Sequence, residues 1–455
     1  MARNPVDETT MQIKLQSLYH RIRTSLWALP ALMSIVALLL GIAGDYLDKH
    51  LKPGLAADYW LLYNGDLRGT QTLLTTIAGS TITVAGVVFS VTIVALSATS
   101  SQFGHRLLLD FMRDRGNQLV LGTFVATFVY CLVIMGAEPP PASGGSYRPI
   151  STSIGLLLSV ASLGMLIYFF HHVALQLRAE HVIDMVAGRL SGGLERLFPN
   201  RDESSDTGSS VGKQGKTFEE KERDEGENLH FRSYRTGYIQ AIDEDALLDI
   251  ARDNDTLIRL PVRPGHFIAM GEAFALVQAD KETADSLREQ VGRHFVVGRM
   301  RTDQQDPEYG IFQLVELAVR ALSPGINDPF SAITCIDWLG AIIAGIADRP
   351  LRSGERRDSE GHLRLITDPV TFDGLLAAAF NQIRQHSADQ PAVALRLLEA
   401  LARIARHTRR QERLAAVRRH ADMVYGAATG KPLSDEDREA FEQRHRAVIQ
   451  AIESS

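Results

Sequence analysis

From Gly69 to His105 the chain carries no Asp, Glu, Lys or Arg. Elsewhere it is well charged: across its 455 residues 22% are charged and the net charge is -6. A solvent-covered helix of that length needs a polar, charged face, so the gap excludes an ordinary soluble surface there and points to a bilayer. Cysteine is nearly absent. Cys131 lies in an apolar run and Cys335 in the charged half, which excludes a disulfide framework and suits a reducing compartment for the second. Catalytic signatures are missing as well: GxxxxGK[ST], GxGxxG between a strand and a helix, and HExxH do not occur. No nucleophile–base pair stands out, so no catalytic residue, cofactor or metal site is expected. The N-terminal apolar run begins too late and runs too long for a cleavable signal.

Four apolar segments reach the roughly 20 residues a helix needs to cross a bilayer. They cover about 26–46, 70–97, 118–137 and 150–171. Backbone polar groups must be satisfied inside lipid, so each segment is expected to be a helix. Lys14, Arg21, Arg23, Arg106, Arg113, Arg115, Arg178 and Arg189 flank one set of ends, against Lys49, Lys52, Arg68 and Arg148 at the other. The excess of basic residues places both termini and the long C-terminal half in the cytoplasm. The expected fold class is an α-helical integral membrane domain with four transmembrane helices, a cytosolic α+β domain and a C-terminal, mostly helical region. The domains are expected at 1–198, 231–302 and 303–455, with a flexible, charged linker at 199–230.

The second segment, TIAGSTITVAGVVFSVTIVALSATSSQ, is crowded with hydroxyls and glycine. At about 100° per residue, Thr72, Thr76, Gly79, Thr83, Gly86, Ser90, Ser97 and Ser101 fall on one side. A thinner line of Thr81, Ala85, Thr92 and Thr99 runs opposite. Small and hydroxylated residues let helices approach closely and bond across, or return each hydroxyl to its own i−4 carbonyl. The other reading is that Thr76, Gly79, Thr83, Gly86, Ser90 and Ser97 line a hydrated pathway for a small ion or solute. Four helices make a poor pore alone, so that reading calls for a homo-oligomer in the lipid bilayer. The segment is too long for the bilayer and is expected to continue as a helix through Gln102. His171 and His172 end the fourth segment; adjacent histidines diverge on a helix and suit an interface better than a metal.

The charged half mixes short strands with helices. Asp243 is placed to cap a helix, turns are expected at Pro264-Gly265 and Met270-Gly271, and a strand at 362–366. Asp328 and Pro329 open a helix expected over 329–346. The densest polar cluster is RTDQQDPEYG followed by RALSPGINDPF. It offers Arg301, Asp303, Asp306, Arg320, Asn327 and Asp328 as a ligand-binding or subunit-contact loop, or as a salt-bridge and capping network. Arg403, Arg406, Arg409, Arg410, Arg413, Arg418 and Arg419 make a basic run, either a solvated helix face or a contact for anionic headgroups. It lacks the aromatic interleaving of a nucleic-acid surface, so no nucleic-acid partner is expected.

GSTITVAGVVFSVTIVALSATSSQFGHRLL, DRGNQLVLGTFVATFVYCL, RTDQQDPEYG and RALSPGINDPFSAITCID together resemble the hallmark stretches of the bacterial membrane-protein family catalogued as domain of unknown function 2254. The likeness spans about residues 20–425 and implies a multi-pass protein of a bacterial inner membrane. It carries over no activity, substrate or catalytic residue. The expected function is an oligomeric, channel-like permeation protein with a cytosolic regulatory domain; the alternative is a membrane-anchored sensor or scaffold without a pore.

Overall fold

The computed structural model describes residues 27–50, 63, 65–103, 114–137, 148–176, 178–198, 228–351, 353–387 and 389–454. Contacts divide the chain into two units, Met1–His181 and Val182–Ser455.

The first unit holds α1 (Ala28–His50), α2 (Leu67–Phe103), α3 (Arg115–Gly136) and α4 (Pro149–Gln176). Helix α3 is apolar on all sides, and such a helix is stable only when surrounded. Here α1, α2 and α4 all pack on it, burying Val120, Phe124, Tyr130 and Ile134. Polar groups close both ends. Asp114 caps α3 by accepting the Asn117 N–H at 3.1 Å. At the far end Arg148, only 2% exposed, donates to the carbonyl oxygens of Ile134 and Ala137 and pairs with Asp45 at 3.0 Å. It satisfies carbonyls that a helix end leaves without partners. Asp48 accepts the N–H groups of Ile150 and Ser151, both at 3.0 Å, and so caps α4 from α1. Helix α2 has 37 residues. At about 1.5 Å per residue it is roughly 55 Å long, far more than a bilayer core of about 30 Å. The expected continuation through Gln102 is present.

The second unit opens with most of α5 (Ala179–Leu197), which buries Val182, Ile183, Val186, Leu190 and Leu194. Then come β1 (Asn228–Arg232), β2 (Gly237–Ile242), α6 (Glu244–Asp253), β3 (Leu257–Arg259), β4 (Phe267–Ile268), β5 (Ala273–Gln278), α7 (Lys281–Arg293) and β6 (Phe295–Gly298). Helices α8 (Pro307–Ala321) and α9 (Pro329–Ile346) follow, then the hairpin β7 (Glu355–Arg357) and β8 (Leu363–Ile366). The chain ends with α10 (Phe372–His386), α11 (Pro391–Ala405), α12 (Gln411–Thr429) and α13 (Asp435–Glu453). One sheet has the order β1-β5-β3-β8-β7 and the other β4-β2-β6. The larger sheet does not close near Thr302: β8 pairs in parallel with β3, Ile258 opposite Leu365, so the later hairpin completes it. Leu247 and Ala251 of α6 and Leu287 and Val291 of α7 join Phe231, Ile258, Val277 and Leu365 in one core.

Among the described residues five helices are long and apolar enough to cross a membrane by length and composition: α1, α2, α3, α4 and also α9. The count therefore differs from the four expected. Helix α9, expected over 329–346 as a helix of the charged half, is 18 residues long and its apolar run qualifies. In the second unit it packs against α8 and α11.

Candidate functional site

Helix α2 has two distinct sides. Thr70, Leu74, Ile77, Ala78, Thr81, Ala85, Val88, Ala95 and Thr99 are buried; of the thinner line, Thr81, Ala85 and Thr99 belong to this side and Thr92 is half-buried. Thr76, Gly79, Thr83, Gly86, Ser90 and Ser97 are all exposed on the side away from the other helices. Val94 interrupts that line, and Ile82, Phe89 and Ile93 flank it. The hydroxyls are not short of partners: Thr76 donates to the Thr72 carbonyl and Thr83 to the Gly79 carbonyl, each at 2.7 Å. Glycine is the residue that asks for a reason. At Gly79 and Gly86 an added Cβ would meet nothing within 4 Å. At several other glycines of the unit packing accounts for the residue, as at Gly155, where a Cβ would lie 3.1 Å from Leu74, whereas Gly136 and Gly164 also meet nothing within 4 Å. Each glycine in a helix costs about 1 kcal/mol relative to alanine, so the protomer alone gives no return for Gly79 and Gly86.

The polar loop of the second unit divides into separate groups. Asp306 caps α8, accepting the Glu308 N–H at 3.1 Å. Arg301 grips its carboxylate at 2.6 and 2.7 Å and lies over the Phe312 ring at 4.8 Å. Arg263 joins from the β3–β4 connection, bonding Glu308 at 2.8 Å and Asp368 at 2.7 Å. Gly265 has φ of +96°, and a Cβ there would lie 2.4 Å from an Asp306 oxygen, so only glycine lets this turn close on the cap. Burial pushes the Asp306 carboxyl above its ordinary range, against the downward pull of Arg301. Burial lowers the His266 imidazole, and Arg263 lowers it further. Two arginines and three carboxylates thus tie the sheet region to α8. Their mutual bonds engage the same donors and acceptors that a ligand would use.

The remaining residues of the predicted loop have other partners. Asp303 is exposed. Arg320 pairs with Glu316 one turn back, at 3.4 Å. Asn327, at φ of +48°, accepts from Gln390 at 3.2 Å. Asp328 caps α9, accepting the Ser331 N–H at 3.2 Å. Beyond the loop, Asp337 of α9 is held by Nε and Nη2 of Arg396, both at 2.6 Å. So Arg301 and Asp306 meet, whereas Arg320, Asn327 and Asp328 serve helix ends and local turns. Arg263, Glu308 and Asp368 were missed; an arginine directly before the Pro264-Gly265 turn was the available signal. Much of the arginine run is engaged: Arg413, 5% exposed, donates to the Ala347 carbonyl at 2.8 Å, and Arg419 bonds Asp373. His172 meets Asp114 at 2.6 Å and Gln176 at 2.9 Å, and Gln176 accepts from Asn117 at 3.2 Å, which latches the ends of α3 and α4. Among the described residues no group of three or more His, Cys, Asp or Glu is placed to hold a metal ion.

Comparison with known proteins follows this division only at the level of the membrane. A family model described as predicted membrane protein (DUF2254) matches residues 23–403. The uncharacterized protein Rv1290c of Mycobacterium tuberculosis is 28% identical over 438 residues, covering 95% of this chain and 82% of its own. The uncharacterized protein Mb1321c of Mycobacterium bovis matches to the same extent, 28% over 438 residues. No solved structure matches.

Proposed function

The chain belongs to the DUF2254 family of predicted membrane proteins, and on that premise we propose that it is an oligomeric, channel-like permeation protein of a bacterial inner membrane. Four helices, α1 to α4, cross the bilayer with both termini in the cytoplasm. Helix α9, packed against α8 and α11, is a core helix of the second unit. The observation that carries the reading is the outward line on α2, with Gly79 and Gly86 facing open space. Acyl chains gain nothing from glycine and hydroxyl groups, whereas a neighbouring copy gains close approach and a hydrated axis gains polar lining. The permeant is a small ion or solute, and the second unit regulates its passage.

Flux through the purified protein in liposomes tests this. The intact chain is expected to conduct, and Thr83→Leu and Ser90→Leu to suppress conduction without loss of folded protein. Absence of flux from the intact chain, or flux indifferent to both leucines, contradicts the reading and favours a membrane-anchored sensor or scaffold.

A further inference from the structure

Helix α9 holds two glycines, and they differ. Gly340 is packed, its Cβ position 2.9 Å from Ala400, but at Gly345 a Cβ would meet nothing within 4 Å. Gly345 belongs to an exposed strip that is apolar rather than charged: Phe330 is 78% exposed and Trp338 37%, with Ala341 and Gly345 also exposed. At about 100° per residue these four positions fall within about 80° of one another. Beside the strip, between α9 and α5, runs a groove of about 170 Å³. Leu194, Trp338, Ala341 and Gly345 give it an apolar floor, with Glu195 and Arg349 also lining it. A cavity of roughly 150 Å³ takes a benzene ring, so a phenyl group fits.

One helix face thus carries both a projecting ring and a recess for one. In a two-fold contact residue i of one copy meets residue j of the other and the reverse, so a surface must complement itself. Antiparallel alignment of two α9 helices about Asp337 and Trp338 places position 330 opposite position 345. Small residues at 341 and 345 let the backbones approach, and an acid and a base at the rim suit a copy better than a partner of one charge. Asp337, at the edge of the strip, already has Arg396 as its counter-ion at 2.6 Å. We propose that this face of α9 is a contact between two copies of the chain, with Phe330 of each seated in the groove beside Trp338 of the other.

The contact stands independently of the pathway along α2. The full chain in native membranes is the sample, with Cys131 and Cys335 left in place because both are buried. Thr334 lies on the same strip, and the alignment sets it opposite Ala341; under mild oxidation co-expressed Thr334→Cys and Ala341→Cys chains are expected to give a mixed dimer. Ala415→Cys, on an exposed site of α12, is the collision control. Co-expressed Phe330→Cys and Gly345→Cys chains are expected to give a mixed dimer. Trp338→Ala is expected to weaken the contact by roughly tenfold or more, as for a central aromatic anchor. Absence of the 334–341 and 330–345 mixed dimers, or cross-links no stronger than at Ala415→Cys, overturns the proposal. Gly86→Cys on α2 reads the membrane contact separately. Cross-links at position 86 without the 334–341 mixed dimer remove this inference alone; the reverse pattern removes the permeation reading alone.

Discussion

Helices α2 and α9 both pass the length and composition test for a membrane span, yet their outer faces are opposites. In α2 22% of the apolar window is buried, and threonine, serine and glycine point outward from the protomer beside Val87, Phe89 and Val94. In α9 50% of the window is buried, and phenylalanine, tryptophan, alanine and glycine point outward. Averages along the chain cannot separate the two. Their faces can, because the medium a face meets decides which side chains are stable there. The same contrast holds for polar atoms. Hydroxyls of α2 return to their own helix, as Thr83 does to Gly79. Charges in the second unit reach across elements, as Arg263 does to Asp368.

Variants can break this contrast, and the largest effect is expected where a charge is stranded. Arg301→Ala leaves Asp306, whose side chain is 2% exposed, without its counter-ion. A loss of about 3–5 kcal/mol is expected in denaturant unfolding of the second unit; an unchanged midpoint would mean the network is ornamental. Leu339→Ala, on the buried side of α9, is expected to cost about 2–5 kcal/mol by the same assay. On α2, Ala85→Leu is expected to cost about 1–3 kcal/mol by overpacking the buried side, whereas Gly86→Leu leaves the protomer's stability intact. Equal destabilisation by the two would erase the distinction between the sides of α2. The smallest effect is expected from pH. Burial lowers the His420 imidazole below 6.5, only partly offset by Asp373, and Arg419 and Arg384 add to the lowering. The unfolded chain then takes up this proton at higher pH than the folded one. Stability from this group is therefore present above about pH 6.5 and lost as pH falls through the lower, folded value. Melting at pH 7.5 and pH 5.5 should show this fall, and His420→Gln should diminish it.

Local chemistry carried much of the architecture. Asp328-Pro329 opens α9 at the expected residue, and Asp243 caps α6 by accepting the Ala246 N–H at 3.1 Å. The turns at Gly265 and Gly271 have φ of +96° and +87°. Long-range pairing was not legible. Strand β1 begins at Asn228 inside the expected linker, and β7 reads as a charged insert because Glu355, Arg356 and Arg357 give no alternation of apolar residues. The pairing of β3 with β8 joins residues a hundred positions apart, and no local signal specifies it. The site was half legible for the same reason. Adjacency in sequence brought Arg301 to Asp306, but Arg263 and Asp368 arrive through the fold.

The most direct measurement is the reactivity of single cysteines along α2 toward a membrane-impermeant thiol reagent in intact membranes. Thr76→Cys, Thr83→Cys and Ser90→Cys should react, while Thr81→Cys and Ala85→Cys should not. Silence along the 76–83–90 line, with the protein folded and inserted, would contradict the account.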